Sequence, residues 1–256
     1  MNPVESVERI AVVGTGKVAE TFLRLFHQAG IAITGIYARN EKRGEELAKR
    51  FNTSFYKQLN TVDADLIFIA VADDSVENVV SQLSKNHLFV HTSGSVPLRE
   101  SWQDNGAVFY PLQSFTESRE LSPSAIPILL EVENQKFKLA LEKLCARMDL
   151  KFAFYNSEER KKIHLSAVFL NNFVNHLVYK SEEIAVLNKI DFSLLRPLME
   201  ETFSKLKELT AFDAQTGPAR RGDKNTIQNH LTQLNGINHE LYDLLSQSIL
   251  KTYKND

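Results

Sequence analysis

The order of apolar and polar residues changes character near residue 155. Before that point, short apolar runs typical of strands alternate with longer amphipathic segments, which predicts βα units and a mainly parallel, doubly wound α/β sheet. The predicted strands are RIAVVG, IAITGIYA, ADLIFIAVA, HLFVHTS, AVFYPL, IPILLEV and KFAFY. The predicted helices between them run from Lys17 to Ala29, Glu41 to Phe51, Ser75 to Ser84 and Gln135 to Met148.

From Asn156 onwards the pattern is helical. Ser157 is the predicted N-cap of a long helix, because Glu158 and Glu159 follow in its first turn, where carboxylates complement the helix dipole. Two further helical patterns flank the turn-forming segment AQTGPARRGD. We therefore predict an α/β domain over residues 1–155 and a smaller all-α domain over residues 156–256.

A glycine-rich turn follows the first predicted strand. In VVGTGKVA, the residues Gly14, Gly16 and Ala19 form a G-x-G-x-x-A pattern at the start of a helix. Gly14 permits a tight turn, Gly16 lets the backbone approach a pyrophosphate, and the helix N-terminus attracts the phosphates. The pattern favours dinucleotide binding over a ligand-free turn. The expected cofactor contacts here are Gly14, Thr15, Gly16, Lys17 and Val18.

The end of the second strand indicates which dinucleotide is bound. NAD-binding proteins usually place an acidic residue there, which accepts a hydrogen bond from the adenosine ribose. This strand ends in IYARNEKRG, so Arg39, Asn40 and Arg43 occupy that region. The sequence favours NADP, although the alternative that both arginines only lie on a solvated helix start stays open.

Polar residues also follow two later strands. Val71, Ala72 and Asp73 are expected to flank the nicotinamide ribose, because ligands lie beyond the carboxyl ends of parallel strands. At least one of Asp73 and Asp74 is expected to cap the next helix. The residues Thr92, Ser93 and Ser95 offer hydroxyls at the same edge, with an ordinary Ser/Gly turn as the alternative.

The long helix carries a neutral polar stripe. At about 100° per residue, His164, Asn171 and Asn175 share one face, with Asn172 at its side. A face in bulk water usually carries Lys and Glu, so these residues predict a semi-enclosed wall that meets a polar ligand. The alternative is a set of hydrogen-bonded buried groups at a helix or dimer interface.

Composition excludes several classes of partner and site. The 256 residues carry 30 Lys and Arg against 32 Asp and Glu, so no broad cationic surface for nucleic acid is expected. The longest uncharged segment contains too many Asn and His to predict a membrane span. One cysteine, no apolar leader pattern at the N-terminus and no metal-ligand spacing predict a metal-free protein of the reducing cytoplasm.

Five strings together resemble an uncharacterised family of NADP oxidoreductases: VVGTGKVA, HTSGS, FYPLQSF, HLSAVFLNNFVNHL and TGPARRGD. The resemblance implies a Rossmann domain joined to a helical domain of unknown function, an architecture similar to pyrroline-5-carboxylate reductase, ketopantoate and β-hydroxyacid dehydrogenases and deazaflavin-dependent NADP reductases. It also implies a homodimer formed through the C-terminal helices. The hydroxyacid enzymes have a catalytic Lys followed one turn later by Asn, whereas this chain has His164 and Val168.

The sequence thus predicts an NADP-dependent oxidoreductase for a small polar carbonyl, imine or hydroxyl compound. His164 would supply the proton, because an imidazole titrates near neutral pH. Tyr110 is a second candidate acid, although its apolar neighbours favour a packed core position. Expected substrate contacts are Asn171, Asn172, Asn175, Ser93, Ser95, Gln113, Arg220 and Arg221. The alternatives are a non-catalytic NADP sensor or scaffold and a reductase of a flavin or deazaflavin.

Overall fold

The computed structural model describes residues 6–117 and 119–254. Eight strands form one sheet in the order β3-β2-β1-β4-β5-β6-β7-β8. Neighbouring strands are parallel except for the antiparallel pair β6 and β7. The strands are β1 Arg9–Val13, β2 Ala32–Tyr37, β3 Ser54–Tyr56, β4 Leu66–Ile69, β5 Phe89–His91, β6 Gly106–Pro111, β7 Ile128–Glu131 and β8 Phe152–Phe154.

Among the described residues, four α-helices lie between strands of the sheet, and all later α-helices follow β8. They are α1 Lys17–Gln28, α2 Glu41–Arg50, α3 Asp73–Ser81, α4 Gln135–Arg147, α5 Ser157–Ala167, α6 Val174–Leu187, α7 Arg196–Lys205, α8 Pro218–Arg221, α9 Lys224–Leu231 and α10 Gly236–Thr252. A mainly parallel sheet followed by a helical region confirms the predicted fold class. The strand β3 was missed, since three residues are too few to show a period.

The sheet is buried on both faces, as expected of parallel strands. One face packs the rings of Phe22, Phe26, Phe68 and Phe109 against one another, with centroids 4.9–5.9 Å apart. The other face packs a second cluster that includes Trp102. Because the chain order reverses between β1 and β4, their carboxyl ends mark the crevice where such sheets bind ligands.

The start of α5 differs from the sequence-based prediction. Asn156, not Ser157, is the N-cap, and it forms a capping box with Glu159. Ser157 is the first helical residue and donates from its N–H and its hydroxyl to Glu131 of β7. Its capping role was wrong, because a residue-type pattern cannot distinguish two adjacent cap-forming residues. The Ser157 contacts fix α5 to the sheet.

Contacts divide the chain into two compact units, one ending at Asn172 and one beginning at Phe173. The division falls inside a π-helical segment, Val168–Phe173, that follows α5. Its wider turn means that the uniform 100° spacing behind the predicted polar stripe does not apply there. The domain boundary after residue 155 stays a prediction.

The C-terminal unit consists of helices and connecting turns, and several large apolar side chains on them are exposed. These include Val186, Leu187, Leu194, Leu198 and Leu244. None of the helices among the described residues is long and apolar enough to cross a membrane.

Candidate functional site

The glycine turn has the geometry that a dinucleotide needs. Gly14 has φ +120°, and a Cβ there would lie 2.2 Å from the carbonyl oxygen of Ala70, so only glycine fits. Its N–H donates to the Tyr37 carbonyl at 2.9 Å. Gly16 is the N-cap of α1 and has open space around its Cα. A phosphate can therefore approach this backbone and the N-terminus of α1.

A cavity of about 490 Å³ lies over this turn. Its size is typical of ligand pockets in proteins. It is lined by the glycine turn, by the ends of β1, β2 and β4, and by Arg39 and Asn40. The predicted contacts that line it are Gly14, Thr15, Gly16, Arg39, Asn40, Val71 and Ala72. Lys17 and Val18 follow in the first turn of α1.

Arg43 does not line this cavity. It lines a neighbouring cavity of about 590 Å³ and forms an ion pair with Glu117, with Nη2 and Oε1 3.2 Å apart. Asn40 accepts a hydrogen bond from the Arg43 backbone and caps α2. Arg39 and Arg43 were predicted to lie at one phosphate site, but in the structure they line two different cavities.

The turn after β5 forms a local hydrogen-bond network. Ser93 is buried, and its Oγ accepts from the N–H groups of Ser95 and Val96 at 3.1 Å and 2.9 Å. Thr92 donates its hydroxyl to the Ile69 carbonyl at 3.2 Å, which ties this turn to β4. Ser93 therefore holds the backbone of this turn in place, whereas the side chain of Ser95 is exposed.

Asp73 joins the same network from α3. The Ser95 hydroxyl donates to a carboxylate oxygen of Asp73. The predicted capping by Asp73 or Asp74 was wrong, because Ala72 is the N-cap of α3 and both aspartates lie in the first turn. Carboxylates in this turn still complement the helix dipole, and the Asp73 side chain remains exposed.

Tyr110 and His164 form a hydrogen-bonded pair next to this turn. The Tyr110 Oη and His164 Nδ1 atoms are 2.8 Å apart, and the two rings meet edge to face. A Cβ on Gly94 would lie 2.7 Å from His164 Nδ1 and 2.9 Å from Tyr110 Cζ. Gly94 is therefore what allows the turn, the strand β6 and the helix α5 to meet at this point.

Burial raises the pKa of Tyr110, and Asp73 raises it further, while Arg160 lowers it. Tyr110 is half-buried with its hydroxyl at His164, so it is not the fully packed core residue that its sequence neighbours favoured. A protonated Tyr110 can donate to Nδ1, which would place the proton of a neutral imidazole on Nε2.

A buried arginine, Arg160, connects the elements that carry this pair. Arg160 is fully buried one helical turn before His164. It forms an ion pair with Glu131 of β7 and donates to the Val96 carbonyl in the turn after β5. It connects the sheet, that turn and α5, the three elements that carry the site.

His91 is a second buried ionisable group in this region. It is completely buried at the end of β5, and its Nδ1 accepts from the Ser93 N–H at 3.3 Å. Burial lowers the pKa of His91 to about 3, and Arg160 contributes to this shift. His91 therefore stays neutral near pH 7 and acts as a structural acceptor for the turn.

The remaining predicted substrate residues lie on several different elements. Asn171 and Asn172 are exposed in the π-helical segment, and Asn175 is exposed on α6 of the C-terminal unit. Gln113 donates to the Ala125 carbonyl at 2.9 Å and so holds its own loop. In the C-terminal unit, the Arg220 guanidinium lies 4.3 Å from the Tyr253 ring centroid, and Arg221 is exposed.

Sequence reasoning did not find Gly94, Arg160 or Glu131. The segment EERKK resembles a solvated helix face, but Arg160 lies four residues before His164 on the same side of α5. That spacing was the available signal. Gly94 could have been suspected from HTSGS, although nothing local shows which rings approach it.

The fold and the turn define a dinucleotide-binding protein of the Rossmann type with a helical C-terminal region. Residues 9–93 match the family model described as NADP oxidoreductase, coenzyme F420-dependent, and residues 126–249 match a domain of unknown function, DUF2520. A "putative NADP oxidoreductase" of Bacteroides fragilis is 32% identical, with a TM-score of 0.86 over 96% of this chain and 99% of that chain. The chain belongs to this family of NADP oxidoreductases, which confirms the resemblance.

More distant structures share the fold. A reductive aminase of Aspergillus terreus, in complex with NADPH and ethyl levulinate, has a TM-score of 0.71 at 11% identity, over 97% of this chain and 94% of that one. A 1-pyrroline-5-carboxylate reductase of Streptococcus pyogenes has a TM-score of 0.65 at 13% identity, over 98% and 100%. No curated protein matches the chain.

Proposed function

We propose that this chain transfers a hydride between NADP(H) and a small polar carbonyl, imine or hydroxyl compound, with His164 as the proton donor. The observation that carries the proposal is the Tyr110–His164 pair at 2.8 Å. It involves the end of β6 and lies against the turn after β5. The reductase fold of the neighbouring structures supports the same reaction class.

The residues around the glycine turn fit the cofactor. The close approach of Gly14 to Ala70 and the open space at Gly16 form a cradle for a pyrophosphate. Arg39 and Asn40 at the cavity wall would hold the additional phosphate of NADP through charge-assisted hydrogen bonds. When bound, NADPH supplies the hydride.

The pair would work as an acid and its positioning residue. In the imidazolium form, His164 would give its Nε2 proton to a substrate oxygen or nitrogen and become a neutral imidazole, while its Nδ1–H donates to the Tyr110 oxygen. Tyr110 keeps its own proton more firmly than an ordinary tyrosine, because burial and Asp73 raise its pKa. It therefore stays a neutral partner that fixes the orientation of the His164 ring. Asn171, Asn172 and Asn175 remain proposed substrate contacts.

Replacing His164 with Ala is expected to lower turnover about 10²- to 10⁴-fold, the usual contribution of a general acid. Tyr110→Phe should cost about tenfold, since it removes one orienting hydrogen bond. NADPH oxidation measured over a panel of oxo acids and cyclic imines gives both values. The dissociation constant of NADPH should change less than about twofold, because neither residue lines the cofactor cavity.

Ser166→Ala, an exposed change on the same helix, is the matched control and should leave turnover intact. Full activity of His164→Ala would contradict the proposed acid. Binding of NADPH without turnover of any panel member would contradict the proposal as a whole and support the alternative of a non-catalytic NADP sensor or scaffold.

Arg39→Ala should weaken NADPH binding about tenfold or more while leaving NADH binding nearly unchanged, because only NADPH carries the additional phosphate. Arg43→Ala is the matched control, since its guanidinium is paired with Glu117 outside the cavity that Arg39 lines. Fluorescence titration of each variant with both nucleotides measures the ratio. Equal losses in both variants would show that the two arginines act together.

A second candidate function is reduction of a deazaflavin at the same edge of the sheet. The observation that favours it is the F420-dependent description of the family model over residues 9–93. Absorbance assays with a flavin and a deazaflavin as acceptors distinguish the two candidates. Turnover of either, with no oxidation of NADPH by oxo acids or imines, would favour this reading.

We also propose that the protein forms a homodimer through its C-terminal helices. The exposed leucines and valines of that unit support this, because monomeric proteins rarely expose large contiguous apolar patches. Sedimentation equilibrium measures the mass directly. A species of the single-chain mass of 29.1 kDa at all concentrations would contradict the dimer.

A further inference from the structure

The proposed site carries an exposed negative charge at its edge. Asp73 accepts a hydrogen bond from the Ser95 hydroxyl, and Ser95 directly follows Gly94, which lies against the rings of Tyr110 and His164. The Asp73 side chain remains exposed, so one carboxylate oxygen is held by Ser95 and the other can face a ligand.

The charge of Arg160, which lies near the pair, is compensated. Arg160 is fully buried and paired with Glu131. Two charged groups shift the pKa of Tyr110. Asp73 raises this pKa, and Arg160 lowers it. Of these two, only Asp73 is exposed to a ligand.

We propose that Asp73 makes this site selective for substrates that are cationic at the reacting end, such as a protonated imine, over substrates that carry a carboxylate there. The inference rests on the proposed function and narrows its substrate class. An exposed carboxylate attracts a cation and repels an anion at short range, and Asp73 is held by the turn that lies against the rings of Tyr110 and His164.

The reaction then balances without a further reactant. A protonated imine binds with its proton already on nitrogen and would lie beside Asp73, so no proton has to leave His164 before the hydride step. When bound, NADPH would supply the hydride to the iminium carbon, the C=N π electrons would pass to nitrogen, and the products would be an amine and NADP⁺.

The test uses two probes that share a cyclopentane ring and carry opposite charges, cyclopentylammonium and cyclopentanecarboxylate. Each is titrated into the full-length protein, with and without NADP⁺, and followed by NMR. The cation should bind about tenfold or more tightly than the anion. Asp73→Asn should reduce this ratio to within about threefold, whereas Asp74→Asn, the same charge change at the next exposed position of α3, should preserve it.

Tighter binding of the anion, binding of neither probe, or a charge preference that survives Asp73→Asn would overturn the inference. Loss of NADP⁺ affinity in Asp73→Asn with an unchanged probe preference would also overturn it, since Asp73 would then serve the cofactor. Failure of NADP⁺ to bind the native protein would contradict the proposed function instead, and the charge preference would still be measured on the protein without nucleotide.

Discussion

Replacing Arg160 with Met is expected to lower the free energy of unfolding of the N-terminal unit by about 3–5 kcal/mol, because it leaves a buried carboxylate without its cation. The Glu131 side chain is 13% exposed, and Arg160 is fully buried. The hydrogen bond to the Val96 carbonyl is lost as well. Urea unfolding followed by the fluorescence of Trp102, the only tryptophan, measures the change in this unit.

The double variant Arg160→Met, Glu131→Gln separates charge from packing. It removes the unpaired charge but retains an acceptor for the Ser157 N–H, so it should recover about 1–3 kcal/mol of the loss. Lys161→Met, which breaks an exposed ion pair with Glu158, should change the free energy of unfolding very little, because solvent screens that pair. Equal effects of Arg160→Met and Lys161→Met would contradict the structural role of the buried pair.

Acid is expected to destabilise the protein through His91. Its pKa is about 3 in the folded protein against 6.5 for an ordinary histidine, so between these pH values only the unfolded chain holds the extra proton. The stabilising contribution is complete above pH 6.5 and is lost as the pH falls towards 3. The loss should be somewhat over ~1 kcal/mol per pH unit and on the order of 5 kcal/mol in total.

His91→Asn should flatten this dependence, since Asn keeps an acceptor for the Ser93 N–H but does not titrate. The variant is expected to be less stable at pH 7 because it is smaller, and to lose less of its stability between pH 7 and pH 4. Urea unfolding followed by circular dichroism at both pH values measures this. His27→Asn, at an exposed position of α1, is the control. Parallel pH profiles of His91→Asn and the native chain would refute the assignment.

The sequence predicted the fold well because the βα pattern is local. Each strand run and each amphipathic helix can be recognised from its own period, and the glycine turn is a contiguous string with a fixed physical purpose. The ends of the helices were predicted less accurately. At the start of α5, Asn156 and Ser157 both favour the N-cap position, and only the contact of Ser157 with Glu131 decides between them.

The candidate site could be predicted only in part, since its members come from distant positions. His164 was found from its neutral surroundings, but the meeting of Tyr110, Gly94 and His164 depends on how β6, the turn after β5 and α5 pack. Arg160 looked like a surface residue because its burial depends on Glu131, 29 positions away. The polar stripe assumed a regular helix, and the π-helical segment interrupts it.

We propose that a dinucleotide phosphate lies against the backbone at Gly16. Titration of the native protein and of Gly16→Val with NADPH, followed by nucleotide fluorescence, tests it most directly. The variant should fold normally, because a Cβ at Gly16 meets nothing within 4 Å, yet its side chain would occupy the space that the phosphates need. We expect saturable binding to the native protein and a loss of about 100-fold or more in the variant. Equal affinity of the two proteins, or no binding to either, would contradict this position of the phosphate.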